Sequence, residues 1–175
     1  KFYEDYKKGQ LDPYAYNEFV FEFLTKHDND YLTELHQLFM QKVIRPQMRP
    51  EGFKAIERHR EAGHELVGIT ATSDFITAPI FREFGITEII ATNAEIVDGK
   101  YTGKVINTAC YQKGKLIRLE QWLEGRDVTE SWAYSDSIND RFLLEHADHA
   151  IAVNPDDRLE ALAKEQGWEI QDWSI

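Results

Sequence analysis

The sequence predicts an α/β fold in which helices cover both faces of a parallel sheet, with a helical module on the N-terminal side. Residues 1–45 carry apolar side chains at helical spacings. From Pro46 onward, short apolar runs alternate with amphipathic segments. Strands separated by helices are typical of parallel sheets, because parallel neighbours need a crossover connection.

Each later element has its own local signal. Helices are predicted from Pro50 to about Gly63 and up to Gly85, since glycine commonly follows the last helical turn. Asp98-Gly99 predicts a two-residue hairpin turn within residues 95–103. The remaining predicted helices cover residues 115–123, 140–147 and 158–167. The predicted strands are residues 65–70, 88–92, 131–136, 149–154 and 168–173.

Composition excludes several classes of protein. Of the 175 residues, 42% are hydrophobic and 13% aromatic, which is enough to fill a core and argues against disorder. The 20 basic and 31 acidic residues give a net charge of −11, so nucleic acid is not an expected partner. The single cysteine, Cys110, cannot form an internal disulfide. With no apolar run of membrane-spanning length and no signal-peptide pattern, we expect a cytoplasmic protein that contacts no membrane.

Ligands of open parallel sheets bind beyond the carboxyl ends of the strands. Three polar clusters in the sequence are expected in that region. The first is residues 70–74, with Thr70, Thr72, Ser73 and Asp74 between a strand and a helix. Hydroxyls and free backbone N–H groups at such a turn suit a phosphate oxygen. The alternative is that Thr72, Ser73 or Asp74 simply caps the helix.

The second cluster contains Lys113 and Lys115 at the start of a helix. Lysine is unfavourable there because of the helix dipole, so either an anion lies nearby or both side chains are solvated. The third cluster is Asp136, Asn139 and Asp140, directly after an apolar strand. Two carboxylates in this position could bind Mg²⁺, or could cap the next helix.

The order of these clusters resembles the haloacid dehalogenase superfamily, in particular its phosphoserine-phosphatase-like branch (subfamily IB). Residues 134–140, YSDSIND, match that branch's D-x-x-N-D motif, and Thr70 matches its strand-ending Ser or Thr. The resemblance covers about residues 46–154. It implies a doubly wound, Rossmann-like parallel sheet in residues 46–175 that lacks its first strand, and a partial helical cap domain in residues 1–45.

The resemblance implies a Mg²⁺-dependent phosphomonoester hydrolase that acts through an aspartyl-phosphate intermediate. Its substrate would be a small phosphorylated metabolite, with phosphoserine as the first candidate and histidinol phosphate as the second. Two rival hypotheses keep the same fold: a non-catalytic binding protein, and a phosphonate hydrolase or dehalogenase. A complete metal-binding loop argues against a metal-free dehalogenase.

Roles for individual residues follow from the same resemblance. The phosphate would be bound by four residues: Thr70, Ala71, Thr72 and Asn139. Asp136 would be a ligand of Mg²⁺. Lys115 would neutralise the phosphate, with Lys113 as the alternative, and Asp140 would orient that lysine or a metal-bound water.

The branch's first motif, D-x-D, which supplies the nucleophile, is not found in its expected context. Asp28-Asn29-Asp30 is the nearest spelling, but no strand leads into it, so we reject it. The strand and its two aspartates are therefore expected upstream of Lys1. Residues 1–175 alone are expected to be inactive.

Other candidates are weaker. Arg45 and Arg49 could contact an anionic substrate, although two surface arginines are the simpler interpretation. His146 and His149 could share a helical face, but an exposed helix end is favoured. Cys110 is interpreted as a small packed residue with no base beside it.

Overall fold

The helices and strands of this computed structural model, which describes residues 2–7 and 10–174, follow one another largely as predicted. The N-terminal part is helical: α1 (Phe2–Lys7), α2 (Pro13–Thr25) and α3 (Asn29–Phe39). A π-helical segment (Met40–Ile44) and a 3₁₀ turn (Arg45–Gln47) continue α3, and α4 covers Pro50–Glu61. Asp28 caps α3 by accepting the N–H of Tyr31 at 2.8 Å, which agrees with rejecting it as part of a catalytic motif.

The middle of the chain consists of β1 (Val67–Ser73), α5 (Asp74–Glu83), β2 (Glu88–Thr92), β3 (Ala94–Val97) and β4 (Lys100–Val105). The C-terminal part consists of α6 (Lys113–Leu123), β5 (Trp132–Ser135), a 3₁₀ turn (Ile138–Asp140), α7 (Arg141–His146), β6 (His149–Val153), α8 (Asp157–Gln166) and β7 (Glu169–Gln171). No helix among these described residues is long and apolar enough to span a bilayer.

The chain divides into two units, and each has its own parallel sheet. The first unit comprises the residues up to Met48 together with Glu65–Cys110, and the second comprises Arg49–His64 and the residues from Tyr111 onward. The predicted division into a cap domain (residues 1–45) and a core (residues 46–175) is a functional division taken from the family resemblance. It stays a prediction.

In the first unit, β1 pairs in parallel with β2. Gly68 permits close packing here, since a Cβ at this position would lie 2.5 Å from the Phe81 ring of α5. β3 and β4 form the predicted hairpin, and its turn residues Asp98 and Gly99 have φ of +49° and +74°. The core beside the hairpin consists of Phe21, Leu24, Leu32 and Ala94.

In the second unit, β5, β6 and β7 are parallel and lie in that order. One face of this sheet presents small residues, Ala133, Ala150 and Ala152, which let α7 and α8 approach closely. The core on that face is completed by Leu144, Leu159, Ala163 and Trp168. Side chains alternate along a strand, so Trp132 and Tyr134 of β5 lie on the opposite face.

Candidate active site

A buried ion pair joins the start of α6 to the acidic loop that follows β5. Lys115 is only 7% exposed, and its Nζ lies 2.5 Å from Oδ1 of Asp140. The other carboxylate oxygen, Oδ2, accepts a hydrogen bond from the Ser135 hydroxyl at 2.7 Å. Buried lysines require a counter-charge, and Asp140 supplies it.

Serine hydroxyls shape the first half of the acidic loop. The Ser135 hydroxyl accepts the N–H of Ser137 at 3.2 Å, and the Ser137 hydroxyl accepts the N–H of Asn139 at 3.3 Å. Ser135 thus contacts the backbone of the loop as well as the carboxylate of Asp140. Sequence reasoning missed both serines, although their positions within YSDSIND could have indicated such local turns.

Asp156 holds the same loop from the other side. Its Oδ2 accepts the N–H of Ile138 at 2.9 Å, and its own N–H donates to the carbonyl of Asp136 at 2.8 Å. Its Oδ1 caps α8 by accepting the N–H groups of Arg158 and Leu159. The loop is therefore fixed to the start of the next helix.

Asp136 is the exposed acid of the loop, at the carboxyl end of β5. Its carboxylate suits one coordination position of a hard cation such as Mg²⁺. Asp140 is less suitable, because Lys115 and Ser135 engage its two oxygens. No group of three or more His, Cys, Asp or Glu side chains that could hold a metal occurs within residues 2–7 and 10–174. The described residues thus fit one ligand of a magnesium site.

The two candidate lysines differ in their surroundings. Lys113 is exposed, and its Nζ lies 5.4 Å from the centroid of the Phe142 ring. Lys115 is buried and paired with Asp140. The anion that could explain a lysine at this helix start is therefore Asp140, and the geometry favours Lys115 over Lys113.

The Thr70 segment, in the first unit, differs from the prediction in one respect. β1 does not end at Thr70 but continues to Ser73, with an irregular register against β2 between Ile69 and Ser73. The Thr70 hydroxyl accepts the N–H of Thr72 at 3.2 Å. Ala71 lies between these two threonines, and the proposed contact of all three with phosphate stays a prediction.

Thr72, Ser73 and Asp74 were the predicted capping residues of α5, but the described residues show no side-chain hydrogen bond that caps this helix. Ser73 occupies the N-cap position without making a side-chain cap, and its buried hydroxyl has no hydrogen-bond partner among the described residues. The Asp74 carboxylate instead accepts hydrogen bonds from Asn93 Nδ2 and from the N–H groups of Phe75 and Ala94. Asp74 therefore fastens α5 to the residues that open the hairpin.

Thr92 explains why β1 extends further than its apolar residues suggest. The fully buried hydroxyl donates to the carbonyl of Ala71 at 3.2 Å and accepts the N–H of Cys110 at 3.0 Å. The Cys110 thiol is also buried and lies 3.6 Å from the carbonyl of Ile90, as a small packed residue would. Sequence reasoning missed Thr92, whose only signal was a hydroxyl at the end of an apolar strand.

The weaker candidates have structural partners. Arg45 binds Glu83 through two hydrogen bonds of 2.7 and 3.2 Å, and Arg49 donates to the carbonyl of Trp173. The suggestion that His146 and His149 share a helical face is wrong, because α7 ends at His146 and His149 begins β6.

Comparison with known proteins identifies relatives over nearly the whole chain. The family model for haloacid dehalogenase-like hydrolase matches residues 2–145. A Neisseria meningitidis protein named histidinol-phosphatase is 41% identical over 176 residues, which is 97% of this chain and 79% of that protein. A Mycobacterium tuberculosis protein named phosphoserine phosphatase is 40% identical over 121 residues, which is 68% of this chain and 39% of that protein.

Solved structures match as well. A Bordetella pertussis Tohama I protein of unknown function has a TM-score of 0.92 at 38% identity, over 99% of this chain and 80% of that one. A probable phosphoserine phosphatase from Vibrio cholerae has a TM-score of 0.73 at 17% identity, over 98% of this chain and 50% of that one. This second likeness concerns the fold, and the predicted α/β class with a Rossmann-like core is confirmed.

Proposed function

Since the chain belongs to the haloacid dehalogenase-like hydrolase family, as its motifs predicted, we propose that it is part of a Mg²⁺-dependent phosphatase acting on a small phosphorylated metabolite. The single observation that supports this most is the buried Lys115–Asp140 pair with Ser135 behind it. A lysine held in this way presents a fixed positive charge, and preorganised charges are effective stabilisers of phosphoryl transfer.

Within this proposal, Lys115 neutralises charge on the phosphoryl group, and Asp140 keeps the amine in place. Ser135 restrains Asp140, so the position of the amine depends on β5 as well as on α6. Thr70 donates a hydrogen bond to a phosphoryl oxygen, with Ala71, Thr72 and Asn139 as further phosphate contacts. Lys113 has no role in the reaction.

Asp136 is the proposed ligand of Mg²⁺. Bound Mg²⁺ would supply charge neutralisation and alignment of the phosphate. The exposed carboxylate of Asp136 is free of the contacts that engage Asp140, which supports assigning the metal to Asp136.

The nucleophile in this proposal is an aspartate upstream of Lys1. Its carboxylate oxygen forms a bond to phosphorus while the ester P–O bond breaks, and the second upstream aspartate gives its proton to the leaving alcohol. Water then attacks phosphorus and gives a proton back to that second aspartate, which releases inorganic phosphate and regenerates the nucleophilic carboxylate. Both halves of the reaction develop negative charge that Lys115 can stabilise.

For the substrate, we propose histidinol phosphate first and phosphoserine second, which reverses the order suggested by the motifs. The reason is that the relative named histidinol-phosphatase aligns with 97% of the chain, and the one named phosphoserine phosphatase with 68%. Both compounds are phosphate monoesters of small primary alcohols that carry an amino group, so the chemistry proposed for the phosphate is the same.

The test measures phosphate release by the full-length protein from histidinol phosphate, phosphoserine and para-nitrophenyl phosphate, with Mg²⁺ or EDTA. We expect Lys115→Met to lower kcat by about 10²–10³-fold, a typical loss for a preorganised charge in an active site. Lys113→Met is the matched control and should stay near the parent activity. Asp136→Asn should raise the Mg²⁺ concentration needed for half-maximal rate.

Two outcomes would overturn the proposal. One is hydrolysis that persists in EDTA or in the Lys115→Met protein. The other is the absence of hydrolysis of all three esters by a folded full-length protein, which would favour a non-catalytic binding protein of the same fold.

A further inference from the structure

A hydrogen-bond network in the second unit reaches β5 from α4, on the sheet face opposite to α7 and α8. The Tyr134 hydroxyl accepts from Nη2 of Arg58 at 3.1 Å and is hydrogen-bonded to Nε2 of His59 at 2.8 Å. The other ring nitrogen of His59, Nδ1, lies 2.9 Å from Nδ1 of His64. Tyr134 is thus held at its polar tip by two residues of α4.

Stacked rings restrict the motion of this network. The His64 ring stacks on Trp132 with centroids 4.5 Å apart, and Trp132 stacks on His149 at 4.9 Å. The His59 ring meets Tyr134 edge to face at 5.6 Å. Because these rings contact one another on several sides, the position of the Tyr134 hydroxyl is well defined.

The network touches the acidic loop through the backbone of β5. Tyr134 and Ser135 are consecutive and point to opposite faces of the sheet. The Tyr134 hydroxyl is fixed to α4, whereas the Ser135 hydroxyl is fixed to Asp140, which pairs with Lys115. The last residues of β5 are therefore held from both faces immediately before Asp136.

We propose that Tyr134 is a positioning residue that, through its hydroxyl contacts with His59 and Arg58, sets the placement of Ser135 and the acidic loop. This inference rests on the proposed function, because the position of the acidic loop affects catalysis only if the protein is a phosphatase. A ring held only by packing could turn or slide, but a hydroxyl with two partners fixes the strand end against α4. Displacements of about 1 Å in an active site can lower rates about 10²-fold.

The principal variant is Tyr134→Phe, which keeps the ring and removes only the hydroxyl. In the full-length protein we expect kcat for para-nitrophenyl phosphate to fall about tenfold. This is a typical loss when a residue that holds a metal ligand in place through a hydrogen bond is replaced. The KM should change little, because Tyr134 does not contact the phosphate in this proposal. His59→Phe should have a smaller effect, because the contact of Arg58 with the Tyr134 hydroxyl remains. The double variant should be no worse than Tyr134→Phe alone, since that variant already removes both hydrogen bonds.

Amide hydrogen exchange provides a readout that does not depend on catalysis. Exchange at residues 137–140 should quicken in Tyr134→Phe and His59→Phe. Glu130→Gln is the matched control, because the exposed contact of Glu130 with His149 at 2.7 Å does not involve Tyr134, His59 or Arg58. It should leave both kcat and exchange unchanged.

The outcomes separate this inference from the proposed function. Faster loop exchange in a protein that hydrolyses no ester would support the positioning role while refuting the phosphatase. Normal kcat and normal loop exchange in Tyr134→Phe, in an active protein, would overturn the positioning role alone. So would faster exchange spread evenly over the second unit with a lowered Tm, since that would indicate a general loss of stability.

Discussion

Replacing Lys115 by methionine removes the charge of a buried ion pair and keeps most of the side-chain volume. Little cavity forms, so the effect on stability comes from Asp140. Its side chain is 14% exposed and would retain Ser135 as a hydrogen-bond donor. Removing one partner of a buried pair typically destabilises a protein by about 3–5 kcal/mol. Because Ser135 remains, we expect the lower end, about 3 kcal/mol.

For a chain of this length, each kcal/mol shifts Tm by about 2–4 °C, so Lys115→Met should lower Tm by about 6–12 °C. Calorimetry of the full-length protein would measure this. Lys113→Met removes an exposed charge and should change the free energy of unfolding by no more than about 0.5 kcal/mol. Adding Asp140→Asn to Lys115→Met removes the unpaired carboxylate and should restore about 1 kcal/mol or more.

Two results would refute this reasoning. Equal destabilisation by Lys113→Met and Lys115→Met would mean that burial of the pair has no energetic consequence. A double variant whose destabilisation equals the sum of the Lys115→Met and Asp140→Asn effects would mean that the two side chains do not interact.

Three further predictions concern contacts within the individual units. Burial and the neighbouring His64 lower the pKa of His59. The contribution of His59 to the free energy of unfolding is therefore fully present above the unfolded-state pKa of about 6.5 and is lost as the pH falls through the lowered folded-state pKa. When Tm is measured from pH 8 to 5, it should fall less in His59→Phe than in the parent protein. Parallel curves of Tm against pH for the two proteins would contradict this. Thr92→Val should destabilise by about 1–3 kcal/mol in urea titrations, because it removes both hydrogen bonds of the Thr92 hydroxyl, to the carbonyl of Ala71 and from the N–H of Cys110. A change below about 0.5 kcal/mol would count against those hydrogen bonds. Gly68→Ala should destabilise by about 1–3 kcal/mol, since its Cβ would overlap the Phe81 ring, and the additional variant Phe81→Leu should relieve part of that loss.

The sequence by itself determined the features that depend on neighbouring residues. Asp98-Gly99 specifies the hairpin turn because few residue pairs tolerate two successive positive φ angles. The alternation of apolar runs and amphipathic segments specifies the α/β class, and the spacing within YSDSIND identifies the family. Such signals can be read from the chain because the groups that interact lie only a few residues apart.

Only the tertiary structure decided which distant residues meet. The family resemblance put Lys115 first and Lys113 second, but only the structure shows that Lys115 reaches Asp140, which is 25 residues away in the chain. The end of β1 was predicted too early because the hydroxyl of Thr92, 21 residues from Ala71, extends the strand. The contact of Tyr134 with His59 spans 75 residues. In each case the deciding interaction forms only when separate elements pack together, so its free energy has no counterpart in local sequence preference.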